Sequence, residues 1–117
     1  MNISISKPKF VTFNLSEGYI INAFIKNKII NEVSLIEYLP VSVRKLTYEN
    51  IISELINAIY TQDQVTAITL NYLLTLHEEV LEPEKVKEYQ QDYKELQEYR
   101  AACKAEAKRA NEYAKEN

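Results

Sequence analysis

The feature of this sequence that most constrains its fold is an abrupt change of composition at residue 82. Residues 1–81 contain 29 of the 31 isoleucine, leucine and valine residues, and residues 82–117 contain only Val86 and Leu96. The second stretch instead carries 17 charged side chains, nine acidic and eight basic. We therefore predict a single domain with two parts: a compact aliphatic head over residues 1–81 and a long charged helix over residues 82–117.

The charged stretch is predicted to form one helix over about residues 84–115. Pro83 suits a first helical turn, and strong helix formers follow without a glycine or proline. Such a helix is about 48 Å long, which exceeds the width of a globular head of this size. Its stripe of apolar and small residues is bulky at first and ends in alanines. We expect its N-terminal half to lie on the head, and its C-terminal half to pack thinly or reach a partner.

The head is predicted to be a small helical bundle, which makes the fold class mainly α. Gly18 is the only glycine, whereas tight β-turns usually need several. Residues 2–15 are rich in alternating or β-branched residues and predict a short N-terminal β arm or hairpin. Ser16 and Asn31 are candidate caps for the first two helices of the head. The predicted head helices span about residues 17–28, 32–39, 48–60 and 62–81.

The last head helix is unusual because residues 64–77 carry no charged side chain other than the imidazole of His77. Thr61 and Gln64 have the spacing of a capping box and predict that a new helix begins there. The alternative is one continuous helix over residues 48–81. A helix that is apolar or neutral on all sides belongs at the centre of a bundle or between two subunits. We expect the other helices to pack around it.

The sequence offers little for catalysis, metal binding or cofactor binding. His77 is the only histidine and Cys103 the only cysteine. A general base needs a partner and a metal needs several ligands, so both residues are interpreted as structural. We therefore predict a protein that is not an enzyme, with no catalytic residues, no metal ligands and no cofactor.

The net charge and the absence of recognisable targeting signals restrict the expected partners and cellular location. The net charge of −3 has the wrong sign for a typical nucleic-acid binder. The N-terminal segment MNISISKPKF resembles no secretion signal, and no apolar run is long enough to cross a bilayer. A single cysteine fits a reducing compartment. We predict a cytoplasmic protein without a membrane partner.

These observations favour a small module that binds a protein partner by occlusion or as an adaptor, as accessory and inhibitor proteins of bacteria and phages do. We also predict self-association as a dimer. Aromatic and arginine side chains dominate contact energies, and they mark the long helix as the binding surface. The candidate partner-binding residues are Tyr89, Tyr93, Leu96, Tyr99, Arg100, Cys103 and Tyr113. Two alternatives stay open: a self-assembling structural protein, and a nucleic-acid or nucleotide binder.

Overall fold

The described part of the chain folds into a four-stranded antiparallel sheet and three helices. A computed structural model describes residues 1–77 and 82–116 of the 117 residues. The prediction of a mainly α fold is wrong, because a sheet accompanies the helices: strands hold 28% of the described residues and helices hold 54%. The strands are β1 (Asn2–Ser4), β2 (Val11–Asn14), β3 (Gly18–Ile30) and β4 (Val33–Val43), and the helices are α1 (Tyr48–Ile59), α2 (Gln62–Thr75) and α3 (Pro83–Glu116).

The largest correction concerns residues 17–39, which were predicted as two helices and form most of the β3–β4 hairpin. The two strands join through Asn31 and Glu32, whose φ angles of 49° and 67° are both left-handed. A two-residue hairpin turn of this kind favours Asn-Gly, and asparagine tolerates the left-handed region better than most residues. The scarcity of glycine therefore did not exclude a tight hairpin.

The side chains of β4 show why a strand forms here. In the second half of β4, the alternate residues Leu39, Val41 and Val43 are buried in the core that the sheet shares with the helices. Pro40, which directly follows the predicted helix over residues 32–39, lies within β4. It lies beyond the residues of β4 that pair with β1, where a missing N–H disturbs no ladder on that side.

The N-terminal arm contains the two predicted strands, but they do not form a hairpin with each other. The strand order is β1-β4-β3-β2, so β1 and β2 occupy opposite edges of the sheet. The connecting residues 5–10 must therefore cross β4 and β3. The side-chain amide of Asn22 donates to the carbonyl of Lys9 at 2.6 Å, and its backbone N–H donates to the carbonyl of Phe10 at 2.8 Å. These two bonds tie the crossing segment to β3.

The main core lies between one face of the sheet and helices α1 and α3. It includes Ile21, Ala23, Leu39, Val41, Val43, Ile51, Leu55, Cys103, Ala107 and Ala110. Helix α3 is one uninterrupted helix of 34 residues, as predicted. The expectation that its C-terminal half would pack thinly or reach a partner is wrong, because that alanine-rich half lies in this core. Small side chains let a helix approach its neighbour closely, so alanine here gives tight packing.

Phe10 fastens the crossing segment to the C-terminal half of α3. Its ring meets the ring of Tyr113 edge to face at a centroid distance of 5.8 Å. The guanidinium of Arg109 lies 5.2 Å from the centroid of the same ring. Aromatic and cation–π contacts of this kind add to the area that they bury. The N-terminal segment and the end of α3 therefore stabilise each other.

Helix α2 was predicted to be the central helix, and this prediction is wrong because α2 packs mainly against α3, outside the main core. Tyr72 of α2 stacks on Tyr93 of α3, with ring centroids 3.9 Å apart and an interplanar angle of 8°. The predicted break before α2 is confirmed. Thr61 Oγ1 accepts the Gln64 N–H at 3.1 Å, and Gln64 Oε1 accepts the Thr61 N–H at 2.8 Å. Residues 78–81 of the predicted helix lie outside the described residues.

Candidate functional site

The best candidate for a binding surface is the side of α2 that faces away from α3, because it exposes apolar side chains. Val65, Ile68, Tyr72 and Thr75 recur at helical spacing and lie against α3, where Val65 and Thr75 are buried. The opposite side, which we name the leucine face, consists of Thr66, Ala67, Leu70, Leu73 and Leu74. Its three leucines are 56%, 44% and 52% exposed. Three neighbouring leucines in water on one helix are typical of a surface that another molecule covers.

The leucine face is neutral along its length. Each of its five members is uncharged, so a partner could cover it without removing the water from a charge. The apolar residues of α2 are spread around the whole helix, and the sequence therefore does not show which side is outward. The packing against α3 settles that point.

Two polar side chains mark the ends of this face. At 100° per residue, Asp63 in the first turn and His77 just after the helix project on the same side as Leu70. The N–H of His77 donates to the carbonyl of Leu74 at 3.2 Å, an i to i−3 bond of the kind that tightens the last turn of a helix. Both end residues are exposed. The face therefore presents a carboxylate at one end and an imidazole at the other.

The seven partner-binding residues predicted on α3 do not form one surface. Leu96 and Cys103 are fully buried in this chain. Tyr99 donates a hydrogen bond to the carbonyl of Leu55 at 2.5 Å. Burial raises the pKa of Tyr99 well above its ordinary value of 10.0, with Cys103 adding to the shift. Burial also raises the pKa of Cys103 to about 11, although the hydrogen bond with Tyr99 acts to lower that pKa. A thiol with that pKa stays protonated and unreactive at neutral pH.

Three of the other four predicted residues also make contacts within the chain. Tyr93 stacks on α2 and Tyr113 packs on Phe10. Tyr89 and Arg100 are half-buried, and the ammonium of Lys85 lies 6.0 Å from the centroid of the Tyr89 ring. Their role in binding a partner stays a prediction. The leucine face on α2 was not among the predicted site residues, although its lack of charge was visible in the sequence.

A second candidate site is a cleft of about 610 Å³ between the β2–β3 turn and α1. Its lining includes Arg44, Glu17 and Glu54, together with three serines, but neither a histidine nor a cysteine. A serine nucleophile needs an adjacent base, and a carboxylate on an open surface is a weak one. The cleft therefore offers polar contacts without an evident catalytic pair.

Among residues 1–77 and 82–116, no three histidine, cysteine, aspartate or glutamate side chains cluster as metal ligands would. Within that same part of the chain, none of the helices combines the length and apolarity needed to cross a bilayer.

Comparison with known proteins assigns no family to this chain. No family model matches the chain, and neither a curated protein nor a solved structure is significantly similar to it.

Proposed function

We propose that this protein is a non-enzymatic binding module that captures a protein partner through the leucine face of α2. The single observation that carries the proposal is the exposure of Leu70, Leu73 and Leu74 on one side of a helix whose other side is fixed against α3. Burying half-exposed leucines on association supplies a favourable free energy of about 1 kcal/mol for each side chain. The module would act by occlusion of its partner or as an adaptor.

The rigidity of the support favours this proposal. The stacked rings of Tyr72 and Tyr93 and the capping box at Thr61 hold α2 in place before any partner arrives. A preformed surface loses less conformational entropy on binding than one that must first become ordered. A cytoplasmic location, as in bacterial and phage accessory proteins, is part of the same proposal and depends on the sequence alone.

Self-assembly into a structural oligomer is the second candidate, and the same leucine face favours it because an uncharged apolar surface can meet a copy of itself. Nucleic-acid binding receives less support. The hairpin lysines Lys26 and Lys28 lie 3.5 and 3.8 Å from the carboxylate of Glu37, which offsets part of their charge.

The proposal can be tested by comparing three immobilised forms of the chain in a cell lysate that also contains the free wild-type chain: the wild type, Leu70→Asp/Leu74→Asp, and Leu15→Asp. Leu15 is 95% exposed in the β2–β3 turn and serves as the matched control, because its change has the same chemistry at another exposed site. We expect a protein retained by the wild type and by Leu15→Asp, and lost from the double variant. Identical protein retention by all three forms would contradict the proposal.

A further inference from the structure

We infer that the leucine face of α2 binds the same face of a second copy of this chain, with the two helices antiparallel and a twofold axis passing through Leu70. This inference rests on the proposed function, which assigns the face to protein binding, and it names the partner. Closed two-chain assemblies use the same patch on both subunits, so such a patch must be complementary to itself. Three features of α2 meet that requirement.

The first feature is the fit of side-chain sizes about Leu70. In an antiparallel pair centred on residue 70, Leu73 of one copy lies opposite Ala67 of the other, and Leu74 lies opposite Thr66. Each large side chain therefore meets a smaller one, and this exchange occurs twice by symmetry. Helices pack closely where projecting side chains enter spaces left by smaller ones.

The second feature is the pair of polar ends. The midpoint between residues 63 and 77 is residue 70, so the antiparallel arrangement places Asp63 of each copy opposite His77 of the other. An imidazole N–H can donate to a carboxylate whether the ring is neutral or charged. A parallel pair would instead place the two Asp63 carboxylates side by side, where like charges repel.

The third feature is the neutrality between these ends. Residues 64–76 carry no charge, so bringing two copies together produces no like-charge contact along the helix pair. The face is short, because α2 has 14 residues and is about 21 Å long. Interfaces at the small end of the specific range are weak, and we expect a dissociation constant in the micromolar range.

Disulfide cross-linking of the full chain tests the arrangement directly. Three single variants are compared under mild oxidation: Leu70→Cys, Thr66→Cys and Leu74→Cys. Helix axes about 8–10 Å apart bring the two Cα atoms of residue 70 within disulfide range. The two copies of residue 66 are about 12 Å apart along the axis, beyond that range. Native Cys103 is fully buried, and Leu15→Cys reports the rate of chance collisions.

We expect Leu70→Cys to form a covalent dimer roughly tenfold or more faster than Leu15→Cys, because a complex holds its thiols at an effective concentration of about millimolar. Thr66→Cys and Leu74→Cys should each stay near the collision rate alone, and an equimolar mixture of the two should form the mixed disulfide rapidly. Cross-linking of all three single variants would show a parallel pair and overturn the inference. Cross-linking at the collision rate in every variant and in the mixture would also overturn the inference. The proposed function would survive that result if the lysate comparison still gave a protein that binds the wild type and does not bind Leu70→Asp/Leu74→Asp.

Discussion

Enlarging Ala107 should destabilise the protein, because this residue lies where α3 enters the main core. Ala107 is fully buried in the main core. Replacing it with leucine adds three carbon atoms at a site that has no accessible surface. Forcing extra methylene groups into a packed core typically costs about 1–3 kcal/mol in the free energy of unfolding. For a chain of this length, that cost lowers the melting temperature by roughly 3–6 °C for each kcal/mol.

Ala105→Leu is the matched control, since Ala105 lies two residues earlier on the same helix and is exposed. Alanine and leucine have similar helix propensities, so the control should change the free energy of unfolding by less than about 0.5 kcal/mol. Urea unfolding followed by far-ultraviolet circular dichroism measures both variants. Equal stability of Ala107→Leu and Ala105→Leu would refute the claim that the alanine side of α3 lies in the chain's own core.

Three further predictions concern single contacts. Tyr99→Phe removes the hydrogen bond to the Leu55 carbonyl and should lower the free energy of unfolding by about 0.5–1.5 kcal/mol, whereas Tyr48→Phe at an exposed position should change it little in the same urea titration. Glu32 has a left-handed φ of 67°, which glycine adopts easily and valine does not. Glu32→Gly should therefore stabilise the protein by up to about 1 kcal/mol, and Glu32→Val should destabilise it. Unchanged melting temperatures for both variants would contradict the left-handed conformation of Glu32. Because burial raises the pKa of Cys103 from 9.0 to about 11, the folded state favours the protonated thiol. The stability of the wild type relative to Cys103→Ala should therefore be constant below about pH 9 and fall between pH 9 and 11, as urea titrations at each pH can show.

The helices after residue 47 could be predicted from the sequence because local chemistry determines them. Thr61 caps α2 as predicted and Thr47 caps α1 in the same way, because each side chain accepts the N–H three residues later. Helix α3 follows from a long run of strong helix formers after Pro83. Such signals depend on neighbours in the chain and need no knowledge of tertiary contacts.

The β3–β4 hairpin could not be predicted in the same way. Isoleucines at positions 20, 21, 25, 29 and 30 fit a broad helical face as well as a strand. What decides between them is pairing with β4, a contact that propensity does not contain. The alternation of Val33, Leu35, Leu39, Val41 and Val43 was the available signal, and Glu37 and Pro40 obscured it.

The position of the candidate site could not be predicted from the sequence for a related reason. A helix with apolar residues on all sides has the same sequence pattern whether a core or a partner covers it. Only the packing of Tyr72 on Tyr93 establishes which side of α2 remains exposed. Likewise, Ala107 and Ala110 looked too small to hold α3, yet their small size lets α3 pack closely in the main core.

Sedimentation equilibrium of the intact chain, run from about 1 µM to 1 mM, tests the central claim most directly, because that range spans the expected dissociation constant. We predict that the mass of the wild type rises from 13.7 kDa toward twice that value. Leu70→Asp should stay at the lower mass over the whole range, and Leu15→Asp should behave as the wild type does. A wild-type mass of 13.7 kDa at every concentration, or an equal rise for Leu70→Asp, would contradict the assignment of the leucine face as the contact between copies.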